Sequence, residues 1–114
     1  MAGDERLQAF GERRGDRYVL KLIGKIDLST VHVFEDALAQ AGSVSDRLVV
    51  VDMSEVEYID STGLSALMQS ELAARDDPDR IQFLGRLQPE VEAVLRMSGV
   101  YDELQFSDSE KADR

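Results

Sequence analysis

The spacing of apolar residues changes along this chain, and each change marks a new element. In "RLQAFGERRGDRYVLKLIG", Leu7 and Ala9 alternate with polar neighbours, and Leu20 and Leu22 flank Lys21. This period of two predicts a hairpin, with residues 11 to 16 (Gly11 and Gly15 included) as its turn and Gly24 as its end. From Val31 the period lengthens. Val31, Phe34, Leu38 and Ala41 fall three or four residues apart and share one helix face. Ser29 or Thr30 can cap that helix, and Gly42 can stop it.

"RLVVVDM", residues 47 to 53, is a short, nearly continuous apolar run, which predicts a central strand buried on both faces and covered by a layer on each. "SEV" interrupts the run before "EYI". A second helix is expected from about Thr62 to Arg75, with Leu64, Leu67, Met68 and Leu72 on one face. Asp76, Asp77, Pro78 and Asp79 terminate it, since proline lacks an amide donor and restrains the residue before it. "RIQFLG" reads as a further strand, with Ile81 and Phe83 pointing the same way. Gln88 and Pro89 open a third helix with a Val91, Val94 and Leu95 stripe and Gly99 beyond its end. "ELQF" is a short last strand. The order ββαβαβαβ defines an α/β fold, a mixed β-sheet flanked by α-helices and joined by crossovers. At 114 residues the chain fits a single domain, residues 1–114, with its core at about 7–107. The acidic C-terminal tail "SDSEKADR" has no apolar anchor and is expected to be flexible.

Composition narrows the chemistry. The absence of cysteine excludes disulfides, thiolate nucleophiles and cysteine-based metal sites. No run of apolar residues is long enough for a membrane span, and "MAGDERLQAF" lacks a secretory apolar region, so the expected location is cytoplasmic. The formal charge is -10 and the one basic cluster, "ERRGDR", is short and interrupted by acids, which argues against direct nucleic-acid binding. The acidity supports solubility and also suits a basic protein partner.

The chemistry-bearing stretch is "VEYIDSTGLSALMQSEL", residues 56 to 72, where Asp60, Ser61, Thr62 and Gly63 join a strand to a helix. One reading is structural: Asp60, Ser61 or Thr62 caps the helix and Gly63 gives a tight entrance. The other is functional. A helix N-terminus favours anions, and a serine there can accept a phosphate carrying about -1.5 to -2 charge. Asp60 beside Ser61 can orient the hydroxyl. Asp27 and Asp52 also lie at predicted element ends; they converge around Ser61 if those ends share one side of the sheet, or else cap locally. Enzyme chemistry finds little support. The single histidine, His32, lies off the apolar stripe, "DSTGL" is not a G-x-S-x-G elbow, and no phosphate-cradling loop exists. Asp76, Asp77 and Asp79 do not follow EF-hand spacing. No enzyme activity, catalytic residue, cofactor or metal is expected.

"LIGKIDLSTVHVFEDAL", "RLVVVDMSEVEYIDSTGLSALM" and "IQFLGRLQPEVEAVLRMSGVYDELQF" together resemble the STAS domain of bacterial anti-sigma factor antagonists, over roughly residues 7 to 107. The resemblance implies a phosphoprotein of sigma factor regulation. When unphosphorylated, such an antagonist binds an anti-sigma factor serine kinase and so releases a sigma factor. Phosphorylation by the kinase ends the association, and a metal-dependent phosphoserine phosphatase can reset it. Ser61 matches the family's phosphoacceptor. Asp27, Asp60, Thr62, Gly63 and Leu64 match positions that support the site or the partner surface. Ser65 and "GRLQPEV" depart from the family's usual pattern. STAS domains also serve as non-phosphorylated scaffolds in stress-signalling complexes and as regulatory subunits of lipid-transport machinery. The Asp60–Ser61 pair points to the phosphorylated class.

Overall fold

The structure is a computed structural model that describes residues 2–3, 6–44, 48–73, 80–104 and 106–107. Asp76 to Asp79 and the acidic tail from residue 108 lie outside the described residues.

Strand β1 (Ala2–Gly3) pairs antiparallel with β2 (Leu7–Arg14), which forms a hairpin with β3 (Arg17–Ile26). Helix α1 (Val31–Val44) leads to β4 (Leu48–Ile59), α2 (Ser61–Ala73) to β5 (Ile81–Leu84), and α3 (Pro89–Ser98) to β6 (Phe106–Ser107). A single 3-10 turn, Tyr101–Glu103, precedes β6. Strands β3 to β6 are parallel, so the sheet is mixed as expected, and its six strands stand in chain order.

That order decides where the helices go. Right-handed crossovers that always step in the same direction place every helix on the same face of the sheet. One core accordingly joins Phe34 and Ala37 of α1, Leu67 of α2, and Val91 and Leu95 of α3 to Leu20, Val51 and Phe83 of the sheet. Val19, Val50 and Leu84 form a second, smaller cluster on the opposite face, and no described helix contributes to it. Leu48 packs there, and the Arg17 side chain, only 11% exposed, shares that face of β3 with Val19. The covering layer expected on each face of β4 is therefore found on one face only; on the other, no described helix covers Val50.

Several boundaries differ from the sequence reading. The hairpin turn is only Gly15 and Asp16, because residues 11 to 14 continue β2 as exposed, mostly charged strand. β3 runs through Gly24 to Ile26; Gly24 adopts φ +124°, and a Cβ there would strike the Arg6 carbonyl oxygen. α1 continues past Gly42 to Val44. "SEV" does not break β4. Between Lys21 and Ile23 of β3, the partner strand advances from Asp52 to Glu55; between Gly24 and Lys25 it advances from Val56 to Tyr58. Each step inserts one extra residue into β4, a β-bulge. The core positions of β4 are consequently Val49, Val51, Met53, Val56 and Ile59. The period of two slips twice, and that slip hid the strand's full length. The buried face of α2 is Gly63, Ala66, Leu67 and Ser70, while Leu72 is 49% exposed. Small residues let this helix lie close to the sheet; of the expected stripe, Leu67 is fully buried, Leu64 and Met68 pack against the core, and only Leu72 points away. α3 follows expectation: Gln88 precedes it in extended conformation, Pro89 occupies the first turn, and Gly99 ends it at φ 82°. β6 begins at Phe106, where "ELQF" was expected to be strand throughout.

Candidate functional site

The site lies where β3 and β4 leave the sheet side by side. Ile26 and Ile59 are register partners at their ends, and the Asp60 amide extends the ladder by donating to the Ile26 carbonyl at 3.2 Å. Two short connections start here, each led by an aspartate.

Asp27 organises the first. Its Oδ1 accepts the amides of Ser29 at 2.9 Å and Thr30 at 3.2 Å, and the Ser29 hydroxyl at 2.7 Å. Its carbonyl accepts the amides of Thr30 and Val31. Thr30 is fully buried; its hydroxyl donates to the Lys25 carbonyl at 2.7 Å and accepts the Asp27 amide at 2.9 Å. Asp27, rather than Ser29 or Thr30, therefore starts the turn that becomes α1. The hydrogen bond from the Ser29 hydroxyl holds the Asp27 carboxyl below the ordinary carboxylate range; partial burial opposes this, and the Ser29 amide and the Thr30 hydroxyl and amide reinforce it. Arg6 donates to the Ser29 hydroxyl from outside at 2.8 Å.

Asp60 organises the second connection. Its Oδ1 accepts the Gly63 amide at 3.0 Å, which makes it the N-cap of α2. Its Oδ2 accepts the Leu28 amide at 3.3 Å and so ties the two connections together. Ser61 is the first residue of α2; its side chain is exposed, and its hydroxyl has no hydrogen-bond partner among the described residues. Thr62 is half-buried. Gly63 is buried because a Cβ there would lie 2.6 Å from Ile59 Cγ1 and 2.9 Å from Ile26 Cγ2. Leu64 is half-buried and packs against the core.

Asp27, Leu28, Ser29, Tyr58 and Asp60 line a shallow depression of about 340 Å³. Asp27 and Asp60 thus line one depression, and Ser61 follows Asp60 directly in the chain. Asp52 does not join them: it lies mid-strand, 5% exposed, and its Oδ1 accepts the Ser54 amide at 2.9 Å across the first bulge. By strand alternation it faces the helix-free side with Val50. Sequence reading missed Leu28, which is 76% exposed, and Tyr58, which is 48% exposed. Leu28 carried a signal, as a lone large apolar residue among the cap-type residues of "DLST". Tyr58 carried none, because the second bulge decides which way it points.

The described residues contain no group of three or more His, Cys, Asp or Glu side chains suited to a metal ion, and among them no helix is long and apolar enough to cross a membrane. His32 is exposed on α1. A one-sided α/β sheet thus presents Ser61 at the strand-to-helix junction that Asp60 caps. The family model described as the Mlab STAS domain matches residues 10–105, and the chain belongs to this STAS family, whose domains are non-catalytic regulatory modules. No curated protein matches the chain. Among solved structures, an anti-sigma factor antagonist from Mycobacterium paratuberculosis is 20% identical, with a TM-score of 0.75 over 96% of this chain and 92% of that one. The anti-sigma factor antagonist SpoIIAA in its unphosphorylated form is 18% identical, with a TM-score of 0.71 over 92% of each chain. At these identities the likeness establishes a shared fold.

Proposed function

We propose that this chain is an anti-sigma factor antagonist. Unphosphorylated, it binds an anti-sigma factor serine kinase and releases a sigma factor. Phosphorylation at Ser61 switches it off, and a metal-dependent phosphoserine phosphatase restores it. The observation that carries this reading is the exposed, unengaged Ser61 hydroxyl at the first residue of α2, directly after Asp60, which lines a depression with Asp27. A phosphate on Ser61 adds about -1.5 to -2 charge next to Asp60, so a partner fitted to the unmodified surface meets both new charge and new bulk. No refolding is required. The helix N-terminus offsets part of the cost of holding that charge. ATP and magnesium belong to the kinase, and this chain acts as its substrate and ligand.

A second reading is a non-phosphorylated STAS scaffold, or a regulatory subunit of a stress-signalling or lipid-transport complex. The description of the matching family as the Mlab STAS domain favours it. Intact-mass phosphosite mapping, paired with a binding measurement on both forms against the cognate kinase, separates the two. The antagonist reading expects one phosphate on Ser61 and much weaker binding afterwards. Phosphate on Thr62 alone overturns the acceptor assignment. Phosphate on Ser61 with unchanged affinity overturns the switch, and stable binding with no modification supports the scaffold.

A further inference from the structure

Single exposed apolar residues are common on protein surfaces and carry no message by themselves. Leu28 differs in how it is held. It is 76% exposed, yet its amide is bonded to Asp60 Oδ2, and the residues on either side of it are bonded to each other through Asp27 Oδ1 and the Ser29 amide and hydroxyl. Two carboxylates from two different connections thus fix the backbone of one protruding leucine. Tyr58, 48% exposed, lines the same depression. An apolar side chain on an immobilised turn loses little backbone freedom when a partner covers it, which is the condition for an affinity anchor.

We infer that Leu28 is the apolar anchor of the partner surface, and that the partner supplies an apolar socket with a cationic rim. The socket receives Leu28 and abuts the Tyr58 ring, and the rim faces Asp27 and Asp60. The charge pattern selects this occupant: the depression presents the carboxylates of Asp27 and Asp60. An apolar partner face without a cation would bury two charged carboxylates whose donors here are neutral amides and hydroxyls. A second copy of this chain, itself at net charge -10, is a poor source of such a rim. The partner is therefore the anti-sigma kinase of the proposed function, and the inference rests on that reading. It adds that the affinity-determining contact lies on the β3–α1 turn, outside the phosphoacceptor helix. Asp60 is then a positioning residue: it acts on binding through the Leu28 backbone while capping the helix that carries Ser61.

The test uses the full chain and an anti-sigma kinase of the same organism that binds it, with wild type, Leu28→Ala and Leu28→Met compared by calorimetry and by initial rates of phosphate transfer. Leu28→Ala is expected to weaken binding about tenfold or more and to raise KM by a similar factor, with kcat and the thermal midpoint unchanged. Leu28→Met is expected to restore most of the affinity. If Leu28→Ala binds within about twofold of wild type while Ser61 is phosphorylated normally, the anchor is refuted and the antagonist reading stands. If Leu28→Ala loses binding but Ser61 of the wild type is never modified, the anchor stands and the switch falls. If none of the organism's anti-sigma kinases binds the wild-type chain, both are overturned.

Discussion

Asp60 accepts the backbone amide of Leu28 at 3.3 Å through one carboxylate oxygen while capping α2 through the other. A residue that follows β4 thereby fixes the turn that follows β3. Replacing Asp60 with alanine removes both bonds. The expected cost is about 1 kcal/mol in global stability, the usual loss for an N-cap. Faster hydrogen exchange should appear at the amides of both Gly63 and Leu28. Asp60→Asn keeps one acceptor oxygen and should protect Gly63 better than Leu28. Urea denaturation and amide exchange by NMR measure the two effects separately.

Gly63 tests how closely α2 approaches the sheet. The added methyl of Gly63→Ala would press on Ile59 and Ile26 at 2.6 and 2.9 Å, with the Ile26 carbonyl at 3.1 Å behind them. Overpacking of this kind costs about 1–3 kcal/mol. The denaturation midpoint should fall accordingly. An unchanged midpoint would mean that the helix can lift away from the strand ends at no cost.

Gly24 and Gly15 both have positive φ, at +124° and +60°, but different surroundings. A side chain at Gly15 meets nothing within 4 Å, so Gly15→Ala costs only the left-handed backbone, about 1–2 kcal/mol. At Gly24 the Cβ runs into the Arg6 carbonyl, whose oxygen also accepts the Lys25 amide at 2.8 Å. Gly24→Ala should therefore be clearly the more destabilising of the two in parallel thermal melts.

Asp27 makes stability depend on acid in a defined direction. Its folded pKa lies below the ordinary value of 3.8, chiefly through the Ser29 hydroxyl. The stability it contributes is complete above that value and is lost as pH falls through the folded pKa. Wild type and Asp27→Asn should therefore converge in thermal midpoint on acidification below 3.8, with wild type the more stable at neutral pH. Carboxyl-carbon NMR titration should place the Asp27 midpoint below 3.8. A midpoint at or above it would show that the Ser29 bond does not persist in solution.

Much of the fold is legible in residue spacing, and the failures share a cause. Val31, Phe34, Leu38 and Ala41 mark α1, and Pro89 with Gly99 bracket α3, because those signals are local. β4 is misread after Met53 because bulges shift its alternation, and a bulge is set by the neighbouring strand. The charged stretch "GERR" resembles a turn, yet it is edge-side strand with little to bury. In the site, the convergence of Asp27 with Asp60 follows from β3 and β4 being parallel neighbours, which the crossover pattern permits but does not require. The outward display of Leu28 depends on hydrogen bonds to a residue thirty-two positions away, and no local pattern encodes that.

Strands that stand in chain order also bear on how the molecule is assembled. Each new parallel strand docks beside the strand just before it, so each parallel pairing closes a single crossover. The β2–β3 hairpin is the most local pairing and offers a template to which strand–helix units are added in order of synthesis. Both site connections lie within the first sixty-four residues, between β3 and the first turn of α2. A nascent chain can close the Asp60–Leu28 link before β5, α3 and β6 have been made. Substitutions in the last third should then slow the final consolidation of the domain and leave the formation of the Ser61 junction early and fast.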